Sequence, residues 1–305
     1  MRQKMKILNE FHNTKQYLSK YWNNQKTTKY LIDINDKIIE AGYFIHYLGD
    51  EVVRHIVELS TSYGCSMKCK FCASSAITPV NKLSVAEIRE VFDYIYLKND
   101  LSTCNYVLVT MTGIGELYYT NKNVKEFILT INENYNNLRF ATSSCCMDSM
   151  LFSMLEEIDK QVVFDNIQIT HLSTDTDKVK FLVPGIPKIV TASDISKLIY
   201  ASEVSVTRIN YLLIKDINDS IDDIDDFIKY YLPVKDKIVI KISTLNATNA
   251  SRSNQVESGS LDKAKDFCVH LEKAGFTSYV FHAFLDDKMN CGQLVSEQRV
   301  AASTC

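Results

Sequence analysis

Val52-Val-Arg-His-Ile-Val-Glu-Leu-Ser60, followed closely by Cys65-Ser-Met-Lys-Cys69-Lys-Phe-Cys72, decides how the rest of the chain is read. The first stretch is rich in β-branched residues and ends in a polar turn, which predicts a strand. Three thiols then stand on the loop that leaves it. Thiolates in that number and spacing suit a soft metal, either zinc or an iron–sulfur cluster. Structural zinc needs a fourth ligand, usually from a second CxxC or Cys/His pair at ordinary spacing, and none follows. Three cysteines on a 4Fe–4S cluster leave one iron open, and chemistry needs an open site. With nine cysteines in 305 residues, a metal or redox use is the first expectation, ahead of a disulfide framework.

Outward from this junction, short β-branched runs alternate with longer amphipathic ones. Strands are predicted at Val52–Ser60, Tyr106–Thr112, Leu138–Ala141, Ile167–Thr170, Val204–Leu213, Ile238–Ser243 and Thr277–Phe281. Helices are predicted at Ser84–Lys98, Asn123–Tyr135, Asp148–Lys160, Ala192–Ser202, Asp219–Tyr231 and Leu261–Lys273. Ser84 with Glu87 reads as a capping box, and Gly275 as the stop of the last helix. Repeated β–α units imply a parallel sheet with helical crossovers, with chemistry at the C-terminal strand ends. Thr112-Gly-Ile-Gly-Glu116 falls at such an end, where its glycines let a ligand approach the backbone and Glu116 can pair with an ammonium group.

Residues 1–30 hold seven Lys/Arg against one acid, with Phe11, Tyr17, Tyr21 and Trp22 interleaved. Such a mixture can grip a phosphate chain and stack bases. The reading preferred here is an amphipathic helix packed through Leu8, Phe11, Leu18 and Tyr21/Trp22. Six aspartates between Asp216 and Asp226 read as a solvated helix start. The expected organisation is an N-terminal extension over 1–50 (helix plus a short β segment), a core over 51–295 and a tail over 296–305. Only 9 Gly and 4 Pro exclude collagen-like and Pro-rich classes. A net charge of −3 does not suggest a body built to embrace nucleic acid. No apolar run is long enough for a membrane helix and no secretory h-region follows Met1, so a cytoplasmic location is expected.

The CxxxCxxC with Phe71 before its third cysteine resembles the signature of the radical S-adenosylmethionine (SAM) superfamily. That resemblance implies a partial (β/α)6 barrel, a 4Fe–4S cluster on Cys65, Cys69 and Cys72, SAM on its open iron, and an electron donor such as flavodoxin or ferredoxin. Gly113, Gly115 and Glu116 are similar to the segment that meets the methionine amino group of SAM. Asp286-Asp-Lys-Met-Asn-Cys291-Gly-Gln-Leu294 resembles the tail of one subgroup, the RNA adenosine carbon-2 methyltransferases and their antibiotic-resistance relatives. Further correspondences follow in order: Thr170 and Asn246 at SAM-contacting positions, Val183-Pro184, and Ile217-Asn218-Asp219 closing a strand turn. In that subgroup the counterpart of Cys291 is methylated by one SAM. A radical from a second SAM then makes its S-methyl carbon able to add to an sp2 carbon of the substrate.

Three departures bear on function. The proline after Gly-x-Gly-Glu is missing. Glu58 stands where the subgroup has the cysteine that resolves the enzyme–substrate adduct; a carboxylate can take a proton but cannot form a disulfide. An arginine-rich stretch is replaced by Phe281-His-Ala-Phe-Leu285, and only about fifty residues precede the first strand where the relatives carry a helical domain. The expectation is therefore a methyl or methylene transferase acting on a small molecule, with ring closure such as cyclopropanation as one way to release the sulfur. The alternatives are methylation of an RNA adenosine, and a non-catalytic iron–sulfur or zinc module. Cys104, Cys145, Cys146, Cys268 and Cys305 read as packed or incidental thiols, with Cys145 and Cys146 best placed to face a site. His282 reads as packed, or as a contact to a polar substrate.

Overall fold

Alternation of buried and exposed positions runs through the first fifty residues, and they fold as strands. β1 (Lys6–Leu18), β2 (Asn24–Ile34) and β3 (Lys37–Leu48) form an antiparallel meander. They are followed by β4 (Glu51–Glu58), β5 (Val107–Thr110), β6 (Leu138–Ser144), β7 (Phe164–His171), β8 (Thr207–Leu213), β9 (Ile238–Thr244) and β10 (Thr277–Ala283). The computed structural model describes residues 5–78, 80–204, 207–283, 289 and 292–296. β4 to β10 pair in parallel, each with the next in sequence. β3 pairs antiparallel with β4, and β1 with β10, so the ten described strands close into one barrel.

Two expectations are corrected here. The N-terminal segment is not an appended helix, and the barrel is not left partial. Seven parallel strands follow one another, and the meander fills the gap between the first and the last. The helical reading took Leu8, Phe11 and Leu18 as one apolar stripe. In β1 and β2 the buried alternate positions are largely polar: Lys15, Tyr17, Gln25, Thr27 and Lys29. A period of two carried by lysine and glutamine is invisible to a search for hydrophobic alternation.

The crossovers are α1 (Val85–Lys98), α2 (Leu117–Asn134), α3 (Ser149–Asp159), α4 (Thr176–Leu182), α5 (Ala192–Ala201), α6 (Ile221–Tyr231), α7 (Asn249–Ser253) and α8 (Leu261–Lys273). Ser84 forms the expected capping box with Glu87, and Gly275 takes φ +89° behind α8. Asp222 and Asp223 lie in the first turn of α6, where Asp223 closes a second box with Ser220 and pairs with Lys178 at 2.9 Å. The main apolar core lies between the outer strand faces and the helices, joining Tyr30, Ile32, Val107 and Val109 to Ile88, Phe92 and Phe127. Among the described residues no helix is long and apolar enough to cross a membrane.

The Ile217-Asn218-Asp219 turn is pinned from inside. Asn218 is fully buried; its Oδ1 accepts from Ile214 N at 2.7 Å, and its Nδ2 donates to Leu172 O at 2.6 Å and Leu212 O at 2.8 Å. It thereby ties the end of β7 to the end of β8. Next to it, His171 is enclosed by the rings of Tyr211, Phe227 and Tyr231 at 5.4, 5.0 and 5.6 Å, and its Nε2 has no hydrogen-bond partner. Burial pushes the His171 pKa down to about 3. The unfolded chain therefore takes up a proton below about pH 6.5 that the folded chain refuses. Stability should fall as the pH drops from that value toward 3, by up to about 1.4 kcal/mol per pH unit from this residue. Urea titrations between pH 7 and 5 should show a shallower pH slope for His171→Phe than for the natural chain.

Candidate active site

The loop after β4 carries Cys65, Cys69 and Cys72 and is braced from two sides. Lys70 N donates to Leu182 O at 2.9 Å and Gly185 N to Met67 O at 2.9 Å, linking it to the region of α4. Thr248 Oγ1 donates to Phe71 O at 2.9 Å and Asn254 Nδ2 to Lys70 O at 3.1 Å, linking it to α7. Lys68 takes a positive φ of 53° at the bend, and Met67 is fully buried beneath it. The thiols share one environment. Burial raises Cys65, with Cys72 and Cys69 adding to the shift, and burial with Cys69 pushes Cys72 up to about 11. A bound iron cluster, as a cation, reverses that preference and draws the thiolates out. Among the described residues no three His, Cys, Asp or Glu side chains are gathered around a single-ion position. Each cysteine of a 4Fe–4S site binds a different iron, so its ligands stand farther apart than those of one zinc ion.

Gly113 and Gly115 are needed for a reason other than ligand access. A Cβ on Gly113 would lie 2.7 Å from Leu59 O; one on Gly115, where φ is +131°, would strike the side chains of Thr61 and Ser62. The two segments zip together beyond the strands, through Gly113 N to Leu59 O at 3.0 Å and Thr61 N to Ile114 O at 2.8 Å. The glycines thus let the chain's own backbone approach, and that approach sets Glu116 beside the cysteine loop. Glu116 caps α2 and accepts from Ser144 Oγ at 2.5 Å and Cys145 Sγ at 3.5 Å. Burial raises its pKa. These donors are neutral, so a ligand ammonium is the kind of partner that would stabilise the charged carboxylate. Cys69 and Glu116 both act on the Cys145 thiol and, with burial, raise its pKa, which sets it between the cysteine loop and Glu116.

Inside the barrel, Glu58 ends β4 beside an unusual neighbour. Lys29, 1% exposed, donates to Glu58 Oε1 at 2.5 Å and Glu40 Oε1 at 3.4 Å. Thr112 Oγ1 donates to Glu58 Oε2 at 3.2 Å. Glu40 is fully buried and accepts from Gly292 N at 2.5 Å; burial raises its pKa even against Lys29. Lys29 and Glu40 were not visible as site residues in the sequence, since their only signal is a charge on alternate strand positions. Glu58, Lys29 and Thr112 line a cavity of about 320 Å³ within the barrel, which Met289 also borders. The residues bordering it do not include the three loop cysteines, Glu116, Thr170 or Asn246.

The remaining expected residues fall as follows. Thr170 lies on the same face of β7 as Gln168, which lines the cavity, two residues nearer the strand's C-terminal end. Asn246 is half-buried on the loop after β9. Cys291 and Cys305 lie outside the described residues. Cys146 is buried with its sulfur 3.2 Å from Lys188 O, Cys104 packs against the main core, and Cys268 meets Ser278 Oγ at 3.1 Å on the outer layer. His282 Nδ1 is 2.8 Å from Thr244 Oγ1.

No protein-family model matches the chain. It is 23% identical over 251 residues to the dual-specificity RNA methyltransferase RlmN of Campylobacter fetus subsp. fetus, covering 81% of this chain and 69% of that protein. To RlmN of Sulfurovum sp. it is 24% identical over 286 residues, covering 88% and 77%. Among solved structures, a radical SAM methyltransferase from Sphaerobacter thermophilus superposes with a TM-score of 0.69 at 18% identity, covering 92% of this chain and 80% of that one. Streptococcus suis SuiB bound to S-adenosylmethionine gives a TM-score of 0.51 at 13% identity over 79% and 52%. These structural likenesses are of fold.

Removing the ammonium from the Lys29 cluster leaves buried carboxylates facing each other. Lys29→Met should destabilise the chain by on the order of 3–5 kcal/mol in urea denaturation. Adding Glu58→Gln to the same chain should restore part of that loss.

Proposed function

We propose that this chain, a radical SAM methyltransferase-like enzyme that works with a 4Fe–4S cluster and SAM, adds a one-carbon unit to an sp2 carbon of a small molecule, with Cys291 carrying that carbon as an S-methyl group. The observation behind the small substrate is the closed barrel. β1 to β3 occupy the side that a partial barrel leaves open, and the space inside is a polar cavity of about 320 Å³. A volume of that size suits a metabolite.

When bound, the cluster supplies the electron that splits the sulfonium of SAM to give a 5′-deoxyadenosyl radical. The chain's part is to hold and shield. Cys65, Cys69 and Cys72 ligate the cluster, Glu116 takes the ammonium of SAM, and Thr170 and Asn246 make further contacts to it. Gly113 and Gly115 keep Glu116 against the cysteine loop. Cys291 accepts a methyl group as a thiolate nucleophile. Support for its placement comes from its neighbours in sequence: Met289 borders the cavity and Gly292 N donates to Glu40. Glu58 is the proton acceptor, held beside the cavity by Lys29 and Thr112. With a carboxylate in place of a resolving thiol, the sulfur leaves by another path: the substrate radical closes a new ring onto the added methylene carbon, the carbon–sulfur bond breaks, and the Cys291 thiyl radical so released takes an electron from the donor to return to a thiolate. The electron comes from a flavodoxin- or ferredoxin-type donor, and the chain works in the cytoplasm.

A second reading, methylation of an RNA adenosine, is favoured by the similarity to dual-specificity RNA methyltransferases. Against it, Lys15 and Lys29, two of the seven N-terminal basic residues, are buried in the barrel, at 2% and 1% exposure. They offer no surface to a phosphate chain.

The test is the intact mass and peptide map of chain produced with SAM available and then reconstituted without oxygen. One methyl on Cys291 is expected, and Cys291→Ala should yield no modified product. Cys65→Ala, Cys69→Ala and Cys72→Ala should each lose iron and the reductive cleavage of SAM. A wild-type chain that never carries the methyl, or that holds a closed zinc site on the three cysteines, overturns the reading. Tight RNA retention with a steep salt dependence would move the assignment to the second reading.

A further inference from the structure

The charge lining the barrel cavity is nearly all of one sign. Among the described residues, Lys15, Lys29, Arg54, Arg208 and Lys241 border it against a single acid, Glu58. Lys29 is held by Glu40 and Glu58, and Arg54 Nη1 by Asp165 at 3.0 Å. Arg208 and Lys241 come from the adjacent strands β8 and β9, in a register that sets Asn210 opposite Lys241. Among the described residues, the Nε atoms of Arg54 and Arg208 are buried with no hydrogen-bond partner. An N–H left so costs about 1–3 kcal/mol, and an acceptor atom of a bound ligand would satisfy it. Burial first, and Arg208 second, bring Lys241 down to about 7. Two like charges in a low-dielectric interior repel unless an anion lies between them.

Aromatic rings stand beside these cations. Tyr17 stacks on Phe281 at 5.3 Å, Trp22 meets Tyr17 at 4.6 Å, and Lys241 Nζ stands 4.2 Å from the Phe281 ring centre. Cationic and aromatic side chains lining one cavity match a flat molecule with an acid group at its edge.

We propose that the barrel cavity is a substrate site for a small, planar, unsaturated anion, whose carboxylate or phosphate group is held by Arg208 and Lys241 while its ring or double bond lies along Tyr17 and Phe281. This deepens the functional reading above and rests on it for the statement that the occupant is the methyl acceptor. A flat unsaturated acid offers the sp2 carbon to which a carbon radical adds.

The test is calorimetric binding to the reconstituted full chain of three probes: benzoate, phenyl phosphate and the neutral benzamide. Fluorescence of Trp22, the single tryptophan of the chain and a residue of the cavity wall, locates the binding. At least one anion should bind saturably, and benzamide about tenfold or more weakly. Which anion binds better distinguishes a carboxylate from a phosphate substrate. Arg208→Gln and Lys241→Gln should each weaken the anion by about tenfold or more, while Arg208→Lys retains most of the affinity. Equal binding of benzamide, affinity indifferent to both substitutions, or no anion binding at millimolar concentration overturns the site. The wild-type comparison of anion with amide decides the matter even where a variant does not fold. Reductive SAM cleavage is followed on the same preparation. Anion binding without cleavage sinks the methyl-transfer reading and leaves this site; cleavage without anion selectivity does the reverse.

Discussion

A lysine ammonium removed from water must have its charge answered, and the interior of this barrel is organised around one that is. Lys29 reaches over Gly42 of the intervening strand to Glu58 on β4, and to Glu40 on the neighbouring β3, at a position only 1% exposed. Its own strand, β2, is the middle of the meander that closes the ring, while Glu58 ends the first parallel strand just before the cysteine loop. The ion pair therefore couples closure of the barrel to the element that presents the thiols. Glu40 extends the link by accepting from Gly292 N, which brings the described C-terminal residues onto the same acid. A buried pair of this kind contributes little net stability compared with apolar packing, but breaking it is costly. Its value lies in fixing where these segments sit relative to one another.

The parallel part of the fold was legible because its physics is repetitive. Val107–Thr110 is buried along its whole length, as expected for a strand covered on both faces, and amphipathic helices alternate with such strands up to Thr277–Ala283. Caps could be read residue by residue, as Ser84 with Glu87 shows. The meander was not legible. Hydrophobic periodicity detects strands whose buried face is apolar, whereas Gln25, Thr27 and Lys29 turn polar groups into a polar cavity. The same blindness hid Arg208 and Lys241, which sit singly among β-branched neighbours and acquire meaning only when two strands lie side by side. Short helices were missed too: α4 and α7, of seven and five residues, are too brief for any period to emerge.

The cysteine loop and Glu116, singled out in the sequence, are brought together through the Leu59–Ser62 and Gly113–Gly115 contact. What spacing could not supply was the reason for the glycines. It also could not separate Cys145 from Cys146, adjacent residues with opposite fates. Cys145 turns toward Cys69 and Glu116, whereas Cys146 turns its sulfur to the Lys188 carbonyl in a buried satellite cluster. Side-chain direction at the end of β6 decides this, and no property of the dipeptide encodes it.

A polar contact links the cavity to the loop that carries Glu116. Glu58 faces the cavity, and its second oxygen accepts from Thr112, the residue that begins the turn leading to Glu116. On the functional reading proposed above, the carboxylate beside the substrate is therefore tied through Lys29 to the barrel wall and through Thr112 to the cofactor-side loop. A resolving cysteine at this position could serve only by forming a disulfide, which needs a mobile partner thiol. A carboxylate anchored on both oxygens needs no such movement. It favours chemistry in which the adduct is released in place, within a cavity that the closed ring of strands surrounds. The substitution at position 58 and the closure of the barrel are, on that reading, two parts of one adaptation to a substrate that fits inside.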